Sequence, residues 1–247
     1  MEIVAHQHAS SIVAIEAAIR SPAERIELDV LLHDGRLVVA HGRRDARDPT
    51  AVRLDQALDL IAKSAKRLLA DVKTAATAGP LGEALQDARL AEQTVVSGQI
   101  DHINAVAELC GAARAWTLPA SSAPAGPLGL ATRQARDRIA QAAFKAIADG
   151  RCDAVSVERH FVEQALCEAV HRAGGRVFAW TANRPREIRR LAALPVDGLV
   201  TDDPVGAHRS LRRQADDQAD DQADDQADHA TPGHAAGDDT RAADANV

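Results

Sequence analysis

Tyrosine is absent from this 247-residue sequence, and aromatic side chains make up only 2% of it: two tryptophans and three phenylalanines. Base stacking and anchoring at a lipid interface both draw on aromatic rings, so neither has many side chains to use. Cysteine is scarce as well. Cys110, Cys152 and Cys167 form no CxxC pair, and this odd number makes neither a disulfide framework nor a thiolate zinc site; it fits a reducing compartment. No apolar run approaches the roughly 18 residues that a membrane span needs. Met1 leads directly into Glu2-Ile3-Val4-Ala5, with no basic segment followed by an apolar one, so no secretory signal is expected and the expected location is cytoplasmic.

Hydrophobic residues make up 46% of the chain and charged residues 26%, enough of each for a sizeable core with a solvated surface. The formal charge of −7 is unevenly placed. Residues 214–247 contain ten Asp and one basic residue, Arg241, for a balance of −9, which leaves residues 1–213 at +2. Within that acidic stretch, residues 214–228 repeat Gln-Ala-Asp-Asp without large apolar residues, so a disordered tail over 214–247 is expected beside a folded domain over 1–213.

Along the body, short β-branched or apolar runs alternate with stretches of helical periodicity. The pattern predicts strands near 2–6, 25–32, 67–73, 94–98, 113–118, 154–158, 176–181 and 197–201. Helices are predicted near 10–20, 54–65, 81–89, 101–110, 129–149, 162–173, 185–193 and 204–213. Strict βα alternation implies parallel strands joined by crossover helices, and this number of units closes into a (β/α)₈ TIM barrel. An open doubly wound sheet is the alternative, but the first strand-to-helix turn, His6-Gln7-His8-Ala9-Ser10, has no glycine-rich phosphate loop. One excursion interrupts the alternation: His33-Asp34-Gly35 reads as a tight turn and Arg36 to His41 as a return strand.

Barrel enzymes carry their chemistry at the C-terminal ends of the strands. His6 ends the first strand. Glu27 and Asp29 stand two apart in the second and so share a face, and Asp71 and Lys73 repeat that spacing at the end of the third. His41 closes the return strand. Carboxylates converging at one mouth repel one another unless a hard cation or a lysine lies between them. Two histidines beside such a group supply what acid–base chemistry on a phosphate ester requires. Ser97, Asn183 and Asp202 also stand at strand ends, where they serve either the site or the backbone of the following loops. Glu158 and His160 are set aside from the site, and His102, His171 and His208 read as surface residues on helices.

At these positions the sequence resembles the glycerophosphodiester phosphodiesterase superfamily, which includes the sphingomyelinase D type of phospholipase. The resemblance rests on Ile3-Val4-Ala5-His6, Ile26-Glu27-Leu28-Asp29-Val30, Asp34-Gly35-Arg36-Leu37-Val38-Val39-Ala40-His41 and Leu69-Ala70-Asp71-Val72-Lys73. It continues through Val95-Val96-Ser97, Trp180-Thr181-Ala182-Asn183 and Val196-Asp197-Gly198-Leu199-Val200-Thr201-Asp202-Asp203-Pro204. It implies a TIM barrel in which Glu27, Asp29 and Asp71 hold Mg²⁺ or Ca²⁺, and His6 and His41 form the acid–base pair. Gln7 and Lys73 would bind the phosphate, and Trp180 would wall the substrate pocket. In the mechanism so implied, a hydroxyl neighbouring the phosphodiester attacks phosphorus and the other alcohol leaves. The expected partner is a small-molecule phosphodiester, with no nucleic acid.

Some positions depart from the family pattern. The usual H-R-G is His6-Gln7-His8 here, so a neutral amide stands where an arginine would grip phosphate in a bidentate, charge-assisted way, a role His8 could share only in part. The usual H-D is His41-Gly42, and the insertion after the second strand is reduced to residues 42–50. The sphingomyelinase D branch also lacks the arginine and uses H-G and D-x-K. Three functions are therefore open at this level: a metal-dependent phosphodiesterase of glycerophosphodiesters, a phospholipase D-like enzyme that leaves a cyclic phosphate on lysophospholipids, and a non-catalytic barrel that binds a phosphorylated ligand.

Overall fold

The computed structural model describes residues 1–6, 11–118 and 133–229, with side chains up to residue 216 in the last helix. In chain order its elements begin with β1 (Glu2–Ala5), α1 (Ile12–Arg20), β2 (Arg25–His33), β3 (Arg36–Val39), α2 (Arg43–Ala46) and α3 (Leu54–Ala62). Next come β4 (Arg67–Val72), α4 (Ala75–Asp87), β5 (Thr94–Gly98), α5 (Ile100–Cys110), β6 (Ala113–Thr117) and α6 (Arg133–Ala148). The chain ends with β7 (Ala154–Glu158), α7 (Gln164–Arg172), β8 (Arg176–Trp180), α8 (Pro185–Ala192), β9 (Gly198–Thr201) and α9 (Pro204–His229).

The sheet runs β1-β9-β8-β7-β6-β5-β4-β2, and a further pairing of β1 with β2 closes it into a barrel of eight parallel strands. Closure excludes the open doubly wound sheet. The first residues of β2 pair with β1, while its last four pair antiparallel with β3, so one strand both closes the barrel and carries the excursion. Asp34 and Gly35 both have positive φ (46° and 74°), the combination that a two-residue hairpin turn of matching twist requires.

Period-two alternation sorts each strand's side chains between two cores. Ile26, Leu28 and Val30 point outward and are fully buried under the helices. The inward positions stack in layers. At the N-terminal end, Glu2 pairs with both Arg25 and Arg67, and the guanidinium groups of Arg25 and Arg176 lie 6.0 and 5.8 Å from the Phe178 ring centroid. Above them, Val4, Leu69, Val95, Ala115, Ala154 and Phe178 fill the barrel as an apolar plug. Two residues further along the same strands stand His6, Asp71, Ser97, Thr117, Ser156 and Trp180, all lining one cavity. Gly198 is required in this plug, because a Cβ there would lie 2.3 Å from Phe178 Cδ1.

Elsewhere the structure revises the expected boundaries. α4 starts at Ala75, not near 81, and contains Gly79 and Pro80. Their helix-breaking tendency is overridden by burial of Thr77, Ala78 and Leu81 on its inner face. A four-residue helix, α2, occupies the shortened stretch after His41. His102 is half-buried instead of lying at the surface. The body is a compact unit over Met1–Leu211, and Arg212–Val247 forms a unit of its own. The helix expected to stop near 213 continues as α9 through the Gln-Ala-Asp-Asp repeat to His229; residues 230–247 of the tail lie outside the described residues. Among the described residues no helix is long and apolar enough to cross a membrane.

Candidate active site

Register explains why the carboxylates meet. Asp29 on β2 pairs with Asp71 on β4, which in turn pairs with Ser97 on β5, so three polar side chains stand at one level on adjacent parallel strands. Glu27 sits one layer deeper on β2. Glu27, Asp29 and Asp71 each offer a carboxylate oxygen within 4.8 Å of the others. Lys73, just past β4, places its Nζ 2.6 Å from Asp29 Oδ1 and 2.5 Å from Asp71 Oδ2, and the Ser97 hydroxyl donates to Asp71 Oδ1 at 2.8 Å.

The electrostatics follow from this crowding. Burial, reinforced by the charges of Asp29 and Asp71, pushes the Glu27 carboxyl well above the usual range. Burial alone would also raise Asp29, but the charge and hydrogen bond of Lys73, with a further bond from His41, bring it below its ordinary value. Burial disfavours the Lys73 ammonium, yet Asp71 and Asp29 outweigh this and raise its pKa above that of an ordinary lysine, so it stays charged. The cluster is an all-oxygen donor set whose negative charge one ammonium only partly balances, since Glu27 is still driven toward its neutral form. Such a set fits a hard divalent cation.

Each histidine is held by a carboxylate at Nδ1. The backbone N–H of Ala40 donates to the Asp29 carbonyl at 2.9 Å, which brings the end of β3 over the mouth, and His41 Nδ1 lies 2.7 Å from Asp29 Oδ2. On the other side, the His6 N–H donates to the Thr201 carbonyl at 2.9 Å, which sets His6 beside the end of β9. There its Nδ1 lies 2.8 Å from Asp202 Oδ1, while its Nε2 faces Glu27 Oε2 at 3.7 Å. Asn183 fixes Asp202: its Nδ2 donates to Asp202 Oδ2 at 2.5 Å, and its Oδ1 accepts from the Asp202 N–H at 2.9 Å and from the Thr201 hydroxyl at 3.1 Å. His6 is nearly enclosed, with 10% of its side chain exposed, whereas His41 is 61% exposed at the rim.

The structure therefore brings together His6, Glu27, Asp29, His41, Asp71, Lys73 and Trp180 around one cavity of about 200 Å³. Gln7 and His8 lie outside the described residues. Glu158 is not among the residues lining the cavity; its Oε1 sits 3.1 Å from His160 Nδ1 and 3.4 Å from Arg159 Nη1. Thr181, within the Trp180-Thr181-Ala182-Asn183 stretch, lines the cavity as well, and so do Thr117 and Ser156, which were not singled out from the sequence. The signal of these last two is period two, since they follow the inward Ala115 and Ala154.

Residues 107–205 match the model of the glycerophosphoryl diester phosphodiesterase family. That stretch holds Trp180, Asn183 and Asp202, while the carboxylate cluster lies N-terminal to it. Among solved structures, the chain is similar to a protein assigned as a glycerophosphoryl diester phosphodiesterase from Silicibacter pomeroyi, with 19% identity, 87% of this chain and 94% of that one covered, and a TM-score of 0.72. It is similar to a glycerophosphodiester phosphodiesterase from Parabacteroides distasonis at 17% identity, with 87% and 98% of the chains covered and a TM-score of 0.69. An Oleispira antarctica phosphodiesterase in complex with its product sn-glycerol-3-phosphate matches at 15% identity over 86% and 97% of the chains, with a TM-score of 0.66. No curated protein matches the sequence. The family model thus matches residues 107–205 alone, and the solved structures share the barrel fold with this chain.

Proposed function

We propose that this chain hydrolyses glycerophosphodiesters to glycerol 3-phosphate and an alcohol, with a divalent cation, Mg²⁺ or Ca²⁺, held by Glu27, Asp29 and Asp71. The observation that carries this reading is the placing of two histidines, each held at Nδ1 by a carboxylate, beside the carboxylate cluster. The product named in the Oleispira antarctica complex supports the same substrate class.

When bound, the cation supplies Lewis-acid neutralisation of charge on the phosphate oxygens. Lys73, kept charged by Asp29 and Asp71, donates to a phosphate oxygen and stabilises the charge that builds as phosphorus becomes five-coordinate. One histidine takes the proton from the hydroxyl that attacks phosphorus, and the other gives a proton to the departing alcohol oxygen. Hydrolysis of the resulting cyclic ester by water reverses the two roles, so each imidazole ends in its starting state. Asp202 and Asp29 hold Nδ1 of His6 and His41, and the transfers run through Nε2 of each ring. Trp180 walls the cavity, and Gln7 stands in place of the phosphate-binding arginine.

The test is alcohol release from glycerophosphocholine and glycerophosphoethanolamine in Mg²⁺, Ca²⁺ or Mn²⁺, with and without EDTA. Release that EDTA stops, and that His6→Ala and His41→Ala each lower by about a hundredfold or more, is the expected outcome. No release from any diester, or full rates in both variants, rejects the reading. Phosphorus NMR separates a hydrolase from an enzyme that stops at the cyclic ester.

A further inference from the structure

Two residues that line the cavity each carry a buried polar atom with no hydrogen-bond partner among the described residues: Trp180 at its indole Nε1 and Thr117 at its hydroxyl. Ser156, 5% exposed, stands directly beside Thr117, because the two residues pair in register between β6 and β7. Ser156 also pairs with Phe178, and Trp180 follows Phe178 by two positions, so the indole rises one layer above the hydroxyls on the same wall. The charged and proton-transferring groups come from β1 to β4 and the end of β9. This arc on β6 to β8 is neutral, and the proposed reaction makes no use of it apart from the indole's bulk.

A buried polar group left unpaired costs about 1–3 kcal/mol, so an arc of this kind calls for a ligand that completes it. An indole N–H can only donate, whereas threonine and serine hydroxyls both donate and accept. A ligand hydroxyl meets both needs, accepting from the indole and donating to a wall oxygen. A carboxylate or phosphate accepts but cannot donate, and a trimethylammonium group does neither. The cavity of about 200 Å³ is smaller than the roughly 300–1,000 Å³ common for drug-sized ligands, which suits a short polyol.

We propose that Thr117, Ser156 and the Trp180 N–H form a hydroxyl-recognising arc that selects a polyol half of the diester through a hydroxyl taking no part in bond making. The inference rests on the phosphodiesterase reading for where the phosphate lies, against Lys73 and the carboxylates. For glycerol joined at one end to phosphate, the middle hydroxyl is the one that attacks, and the terminal hydroxyl is the one the arc would hold.

Two ligands separate these roles: sn-glycerol 3-phosphate and 2-hydroxypropyl phosphate, which lacks only the terminal hydroxyl. Calorimetry in Mg²⁺ is expected to give wild-type protein about a tenfold or greater preference for the glycerol compound, and Thr117→Val and Trp180→Phe are each expected to shrink it below about threefold. The matching diesters, glycerophosphoethanolamine and 2-hydroxypropyl phosphoethanolamine, should give the same pattern in kcat/KM. Equal affinities in the wild type, binding of neither ligand, or a preference that survives in both variants overturns the proposal. Wild-type protein that cleaves neither diester yet keeps the affinity difference supports the arc and counts against the phosphodiesterase reading alone.

Discussion

His6 and Asp202 lie 196 positions apart in the chain, and His6 Nδ1 approaches Asp202 Oδ1 to 2.8 Å across the seam where β1 pairs with β9. Closure of the barrel makes this contact. It determines which ring nitrogen of His6 faces the carboxylate cluster, and Asn183 in turn holds the aspartate.

Asp202→Asn should therefore slow turnover by about a hundredfold or more with little change in KM, because the carboxamide can donate to Nδ1 and so hold the imidazole in the wrong tautomer. On a His6→Ala background the same substitution should cost almost nothing further, since both act through one group. Equal penalties in the two backgrounds would show that Asp202 acts elsewhere.

In the proposed cation site, Glu27 would link metal binding to pH. Its carboxyl is held well above the usual range by burial and by Asp29 and Asp71, so the metal-free fold binds a proton that the unfolded chain has already released. Stability of the metal-free protein should fall as pH rises through this window, because the folded state binds more protons than the unfolded one. Saturating Mg²⁺ or Ca²⁺ should remove that slope, and metal affinity should weaken as pH is lowered, because binding requires the carboxylate. Melting curves of wild type and Glu27→Gln across pH, with and without metal, check it; a slope identical in the variant contradicts the assignment.

Removal of one carboxylate should weaken the cation site directly. Asp71→Asn is expected to lower divalent-metal affinity by at least about tenfold and to reduce the thermal stabilisation that added metal produces. Lys73 then keeps Asp29 as its carboxylate partner, so the phosphate contact proposed for it should loosen as well. Calorimetric titration with metal alone gives the affinity without reference to turnover.

The opposite end of the barrel should respond in stability and not in chemistry. Arg25 is 2% exposed, donates to the Leu68 carbonyl at 2.7 Å and is paired with Glu2, which also meets Arg67 at 2.7 Å. Glu2→Ala leaves the buried guanidinium without its carboxylate, at a cost of about 3–5 kcal/mol. Urea unfolding measures this, and metal affinity of the folded protein should be unchanged.

Gly198→Ala should destabilise the chain by about 1–3 kcal/mol, because the new Cβ meets Phe178 in the apolar plug. Pairing it with Phe178→Leu, which vacates that space, should recover part of the loss. An unaffected single variant would mean that the ring can move aside.

Much of this molecule was legible in local pattern. Alternation of apolar runs with helical periodicity sufficed for the eight-stranded barrel, and Asp34-Gly35 sufficed for the hairpin, because side-chain period and turn chemistry are properties of neighbouring residues. The spacing of Glu27 with Asp29 and of Asp71 with Lys73 likewise placed each pair on one face before any fold was known. The start of α4 was not legible, since Gly79-Pro80 argues locally against a helix that burial of Thr77 and Leu81 sustains. Nor was Thr117 or Ser156, two ordinary hydroxyl residues that matter only because β6 and β7 align them in one layer above the plug. Neighbouring residues thus dictate the barrel's strands, their order and the residue types available at each strand end. The register that sets Asp29 beside Asp71, the seam that gives His6 its Asp202, and the neutral wall facing the charged one come from folding, because those contacts join residues that only a closed barrel brings together.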